Sequence, residues 1–391
     1  MSTTLSNTLN SDASGDFYYT VGGATVTYPG EGIRINTGGV GDYTIGIRND
    51  RAFFGVPGMY FEWYTTRASS GNTYAFSGIR KDPVLDATGC YGVAWINANL
   101  ETTLNSTVIG SANDTWFKIR LLLKSDDTLD LYVNDSFIEN ANPGVPIIGY
   151  PLWLQLGGAY YSPVVGYKNV AIYDPRNSVD SSDFSDSTGW TSVNTGGTAS
   201  FTSNTCEQEK SGSNGWGDCG VYRTASTTLQ KGDLIRIHNH PNWSPNPECL
   251  IWLRFTSGLG VSTGLEGVGF YFHQSAAVDY LTRQNATDIT TTEVGGDSDL
   301  DLVFSVTQNG YIHMWYSVTG DEAWVHVGVH GTDRSNTAFY LGTDIWANLS
   351  KIVLSDYSWT QLPTPAVGGD GGLGGAVVGL FNKIFSNRRK I

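Results

Sequence analysis

Between Trp116 and Val133 apolar and polar positions alternate twice. Ile119, Leu121 and Leu123 alternate with Arg120 and Lys124; beyond Ser125-Asp126-Asp127-Thr128, Leu129, Leu131 and Val133 alternate with Asp130 and Tyr132. Successive side chains of a strand leave on opposite faces, so a period of two on both sides of a polar turn predicts an antiparallel hairpin. Leu121, Leu123, Leu131 and Val133 are the predicted buried positions, with Arg120, Lys124 and Asp130 outside. The device recurs over Leu302–Tyr316, turning on Asn309-Gly310, the dipeptide that best tolerates φ > 0. One kind of β-unit is therefore expected twice.

Other segments fit around these hairpins. Y-F-E-W-Y at Tyr60–Tyr64, G-V-A-W-I at Gly92–Ile96, Pro151–Leu156 and Val170–Tyr173 read as further strands of a first unit. The opening then repeats. Ser185-Asp186-Ser187-Thr188-Gly189 echoes Ser11-Asp12-Ala13-Ser14-Gly15, and T-G-G-T-A-S-F-T echoes V-G-G-A-T-V-T-Y. A period of about 170–180 residues is too long for a solenoid and describes a tandem of whole domains. The expected organisation is a disordered arm (1–11), a first jelly roll (12–176), a polar linker (177–184) and a second jelly roll (185–362). A Pro/Gly linker (363–375) and an amphipathic helical tail (376–391) follow.

Composition sharpens this picture. Among 391 residues, 48 glycines, 12 tryptophans and 21 tyrosines accompany only 15% charged residues, a turn-rich aromatic make-up that favours strands over long helices. A formal charge of −14 disfavours a nucleic-acid backbone as partner, since phosphates are repelled. The first residues lack a basic and apolar leader, and no run of 18 apolar residues is found. Four cysteines are too few for a disulfide scaffold; a bridge between Cys206 and Cys219 stays open.

The order F-E-W-Y, G-V-A-W, W-F-K-I-R-L followed by L-D-L-Y-V-N, and P-L-W-L-Q-L-G-G resembles the concanavalin A-like lectin/glucanase group, its SPRY and laminin-G-like branches above all. The resemblance covers most of residues 15–174 and, more faintly, 185–360. It implies an all-β fold of two tandem concanavalin A-like sandwiches and a tendency to bind glycans or peptides. Glucanases of that group carry catalytic carboxylates as Glu-x-Asp-x-Glu on one strand. No such run exists here: Glu62, Glu266 and Glu293 each stand without a partner at strand spacing. Glycosidic cleavage then has no acid–base pair, and the expectation is a protein without catalytic residues.

Candidate binding chemistry lies in the second unit, which holds all six histidines. Arg236, His238 and His240 share one phase of a strand; so do Tyr271 and His273, Tyr311, His313 and Trp315, and Trp324, His326 and His330. The opposite phases are Ile, Val, Phe and Met. If these strands are neighbours, the aromatic and polar phases form one surface. Rings stack on the C–H faces of sugars while His and Arg bond hydroxyls, as a glycan groove requires. The same residue types also suit an interface with the first unit or another subunit. Asp297, Asp299 and Asp301 alternate as a calcium candidate or a solvated strand entry. His238-x-His240 lacks a third zinc ligand.

In the tail, Val377, Leu380, Phe381, Ile384 and Phe385 recur at helical spacing beside Lys383 and ahead of Arg388, Arg389 and Lys390. About three turns are too short to stand alone in water. The stripe therefore expects a groove on another protein, such as a capsid protein, or an anionic membrane surface. Together these features predict a non-enzymatic adhesion, spike or decoration protein on the surface of a bacteriophage or other virion. Its general layout resembles phage fibre and spike proteins, with a cell-surface glycan or receptor as ligand and no cofactor other than the candidate calcium. The competing class is a glycoside hydrolase or lyase with an accessory lectin domain.

Overall fold

The computed structural model describes residues 5–12, 16–20, 24–36, 46–49, 51–67, 73–82, 89–97, 99–111, 114–161, 164–213, 215, 217–242, 249–255, 267–272, 283–284, 287–288, 299–318, 323–346 and 350–363. The expected tail, with Val377 to Lys390, lies outside them.

Among the described residues all long elements are strands, and they form two sandwiches. In the first, an eight-stranded sheet runs Ser136–Ala141, Leu129–Val133, Phe117–Leu123, Tyr60–Arg67, Val164–Tyr173, Ile33–Asn36, Thr25–Thr27, with Leu5–Asn7 also on Val164–Tyr173. The facing sheet is built around Tyr91–Ile96, Thr73–Arg80, Pro151–Tyr161 and Gly46–Asn49. In the second sandwich the order is Val325–His330, Ile312–Val318, Leu300–Val306, Leu234–Asn242, Lys351–Gln361, Thr205–Lys210, Gly197–Thr202, with Asn177–Ser182 also on Lys351–Gln361. Strand for strand, the two large sheets have the same order and connectivity. The second unit's partner sheet has five strands, centred on Cys249–Arg254 and Tyr340–Ile345.

The predicted hairpin has the expected register: Ile119 faces Val133, Leu121 faces Leu131 and Leu123 faces Leu129. All six side chains lie in the first core, against Phe61, Trp63, Leu154 and Ile172. Asp130 departs from expectation. It is buried, because Asn140 Nδ2 donates to its carboxylate at 2.8 Å and Lys124 pairs with it at 3.3 Å.

Two boundaries also differ. Residues 5–7 of the expected arm and Asn177–Ser182 of the expected linker are strands, each the first of its unit and each bonded to its unit's last strand. Their polar composition suits a strand whose outer face meets water. Each leads into the same turn. The Leu9 N–H donates to Asn7 Oδ1 and the Phe184 N–H to Ser182 Oγ, both two residues back. Both apolar residues then take φ of 56° and are fully buried. Bulky residues avoid that backbone region, so burial of Leu9 and Phe184 holds them there.

All four cysteines are buried and none is in a disulfide, Cys206 and Cys219 included; burial pushes the Cys206 and Cys219 thiols up, to about 12 and about 11.

A third, smaller cluster spans the two units. Phe54, from the first, packs edge-on against Trp315 and Trp324 of the second, with ring centroids 6.1 and 5.1 Å apart, and Tyr150 joins Trp315 at 5.3 Å. Polar bonds flank the rings. Ser305 Oγ donates to the Gly149 carbonyl at 2.7 Å and accepts from Trp315 Nε1 at 3.1 Å. Arg176 Nη2 donates to the Phe54 carbonyl at 3.0 Å. Gly149 has φ of 80°, and a Cβ there would lie 2.9 Å from Thr307 Cγ2, so the approach needs glycine.

Truncating Leu123→Ala should cost about 2–5 kcal/mol, as buried leucine deletions do. Equilibrium denaturation checks this, and a loss below about 0.5 kcal/mol would contradict the packing described.

Candidate functional site: the outer faces of the two large sheets

Each large sheet turns one face to its core and one outward. In the second unit the outward phase holds much of the predicted aromatic and histidine set. Trp315 stands opposite Val303 on one side and His326 on the other, and His313 opposite Ser305. Arg236 and His238 lie opposite Val303 and Asp301. Arg236 sits over the Trp324 ring at 5.4 Å.

Three predicted members fall elsewhere. Tyr271 belongs to Gly267–Phe272 of the five-stranded sheet, opposite Leu250, because shared alternation does not say which sheet a strand joins. Tyr311 sits in the tight turn, where its carbonyl accepts from the Thr307 N–H. His330 turns inward. Its strand carries a bulge at Val327, between the Trp315–His326 and Met314–Gly328 pairs. The extra residue reverses the phase, so Val327 enters the core and His330 lies buried, its ring 5.6 Å from Phe255. His273 and the His240 side chain lie outside what is described.

Asp301, one of the calcium candidates, is committed elsewhere: His238 Nδ1 lies 3.1 Å from its Oδ1. That bond raises the His238 pKa against its burial. Burial pushes Asp301 up, but His238 and the Arg236 charge outweigh it and hold the carboxyl low. Asp297 lies outside the described residues. Among the described residues no group of three or more His, Cys, Asp or Glu is placed to hold a metal.

The first unit covers the part of this face that holds Val303, Ser305, His313 and Trp315. Trp315 is 5% exposed and Ser305 1%, so the Trp315 ring offers no free side for a sugar. His313 is also buried, its Nδ1 3.0 Å from Nε2 of His326, which reaches solvent. Burial, then His326 and Lys81, hold the His313 pKa down to about 4; burial and Lys81 lower that of His326.

The counterpart face of the first unit is partly exposed: Phe137 reaches solvent, Tyr132, Arg120, Glu62 and Tyr60 are half-buried, and Asp130 and Tyr173 are buried. One row across it runs Phe137, Tyr132, Arg120, Glu62, each opposite the next. A second runs Asn140, Asp130, Leu122, Tyr60, Tyr173. Where the second unit has Val303 and Trp315, this face has Arg120 and Tyr132, at equivalent rungs of the same hairpin. Glu62 is a cross-strand charge: Arg120 donates to it through Nε and Nη2 at 2.8 and 2.7 Å, and Lys118 Nζ lies 3.4 Å away. Aromatic rings frame these charges. Tyr60 stacks on Tyr173 at 5.0 Å, Arg120 lies 5.4 Å from the Tyr60 ring, and Tyr132 meets Phe137 edge-on at 5.7 Å. Phe137 is 56% exposed. Burial first raises the hydroxyl pKa values of Tyr60, Tyr132 and Tyr173, so all three are neutral donors at pH 7. The outward phase of Tyr60, Glu62 and Tyr64 was readable in Y-F-E-W-Y. That Phe54 and Tyr150 close one face and leave its counterpart bare was not.

The sequence matches no protein-family model and no curated protein. Solved structures similar to it include the exoplasmic/lumenal domain of VIP36 in a Ca2+/Man3GlcNAc-bound form, at 12% identity and a TM-score of 0.34, covering 46% of this chain and 87% of that one. Lectin I-B4 from Griffonia simplicifolia aligns at 10% identity and a TM-score of 0.33, covering 45% and 94%. An endo-beta-1,4-glucuronan lyase from Trichoderma reesei aligns at 12% and 0.31, covering 44% and 95%. At these scores the likeness carries no inference about ligand or activity.

Trp315→Ala should cost about 3–5 kcal/mol. A double-mutant cycle with Phe54→Ala should show a coupling of about 0.5–1.5 kcal/mol, the range of buried aromatic pairs. Additive effects would mean that the two rings do not support one another.

Proposed function

We propose that the protein is a non-enzymatic, carbohydrate-binding adhesion protein whose binding face is the partly exposed outer face of the first unit's large sheet. The observation that carries this reading is the contrast between counterpart faces. One is packed by rings and Val303 against the other unit; its twin keeps aromatic rings beside half-buried paired charges, with Phe137 exposed to solvent. Tyr60, Tyr132 and Phe137 can meet the C–H faces of sugar rings, while Arg120, Glu62, Lys118 and Asn140 supply donors and acceptors for hydroxyls. Cations and anions are interleaved across the face, which suits an uncharged glycan better than a polyanion.

Tyr132→Ala and Phe137→Ala should each weaken binding to the cognate cell-surface polysaccharide by about ten-fold or more while barely moving the melting temperature. Unchanged binding would remove this face from consideration. Reducing ends released from a polysaccharide panel would replace adhesion with cleavage.

Display on a virus particle is the finer reading, and it rests on the amphipathic stripe in 376–391 behind a glycine-rich segment. Deleting residues 368–391 should leave both sandwiches folded, by their unfolding transitions, and abolish incorporation into the particle. Normal incorporation would refute the anchor, and loss of liposome binding alone would make it a membrane contact.

A further inference from the structure

We propose that the hydrogen-bonded pair His313–His326 is an acid-responsive latch on the seam between the two units. The inference does not depend on the glycan face. The pair sits where the units meet: Tyr150 of the first unit lies 5.2 Å from the His313 ring, and Trp315, which carries the seam, lies 4.6 Å from His326. Lys81, also of the first unit, places its ammonium 3.9 Å from the Tyr150 ring centre.

Proton counting gives the device its direction. With both rings neutral, one nitrogen donates to the other across 3.0 Å. A first proton from solvent reaches exposed His326 and leaves one N–H facing one lone pair, so the bond survives. A second proton sets N–H against N–H. The bond is then lost, and two imidazolium charges stand beside Lys81.

The surroundings do little to neutralise that charge. Arg236, on Leu234–Asn242, adds a further cation and is stacked on Trp324. Asp301, on Leu300–Val306, is engaged by His238. Asp127, nearest the first unit's side, accepts the Ile147 and Ile148 N–H groups and offsets only the Lys81 charge. Tyr150 is neutral, its hydroxyl pushed up by burial and by Asp127.

Both histidines have folded-state pKa values below their ordinary one. Their contribution to the closed seam is therefore complete above about pH 6.5. It is lost progressively as the pH falls to about 4, where His313 titrates. Asp233 acts in the opposite sense. Burial pushes its carboxyl up to about 6, so its protonation favours the folded chain over the same interval and cannot open the seam.

The test uses the full chain between pH 7.5 and pH 4. Amide hydrogen exchange over residues 149–150 and 303–305, corrected for intrinsic rates, should accelerate by about ten-fold or more at the acidic end while the strands of both cores stay protected. His326→Gln keeps a hydrogen-bonding side chain at an exposed position and cannot be protonated, so the pair never carries two charges and the acceleration should be abolished. Lys81→Gln should move its midpoint to higher pH, because that cation lowers both histidine pKa values, and should shrink the acceleration, because the doubly charged pair then stands against one cation fewer. Asp233→Asn should leave the midpoint in place. A seam equally protected at both ends of the range, or a His326→Gln chain with the wild-type profile, would overturn the proposal.

Discussion

The contact of Phe54 and Tyr150 with Trp315 is the constraint on which the rest of the molecule depends. A sheet face that meets another domain loses its water, and any charge on it must then be paired in a medium that solvates poorly. The second unit meets this condition with Val303, Trp315 and Leu234, and with one serine that donates across the boundary and accepts from the indole. The first unit, built on the same strand order, faces no such demand, and the corresponding rungs carry Arg120, Glu62 and Tyr60 in an ion-paired lattice. Two copies of one architecture thus diverged where only one of them is covered.

Much of the fold was legible in the chain, because burial on one side of a sheet imposes a period of two that survives in any sequence reading. The hairpins, their registers and the inward leucines follow from it. What alternation does not encode is which sheet a strand joins, as Tyr271 illustrates, or whether a bulge intervenes. The one extra residue at Val327 sends His330 to the core, and nothing in V-H-V-G-V-H announces it. Polar strands are equally silent. Asn177–Ser182 has the composition of a linker, yet its backbone bonds to Lys351–Gln361 as well as any apolar strand would.

The candidate site was legible in kind and not in place. Phase identified an outward surface of rings and hydrogen-bonding groups in the second unit, and Arg236, His238, His313, Trp315 and His326 share that phase while Tyr271, Tyr311 and His330 do not. Its role turned on Phe54, Gly149 and Tyr150, residues of the other unit, far away in the chain and with no periodic signature. A duplicated fold makes such errors correctable. The equivalent position in the sister unit shows what the same rung looks like without a cover, as Arg120 does for Val303 and Tyr132 for Trp315.

In both units the first strand lies against the last: Leu5–Asn7 on Val164–Tyr173, and Asn177–Ser182 on Lys351–Gln361. This places the entry and exit points of each sandwich side by side on neighbouring strands. Such a module has no backbone span to bridge when it is joined to another, so three connecting residues suffice between Tyr173 and Asn177. The same adjacency lets the natural ends be linked and new ones opened in a surface turn. It also sets an order in time. A ribosome must deliver residues 170–172 before Leu5–Asn7 finds its partner, so that strand docks after the rest of its unit has been made.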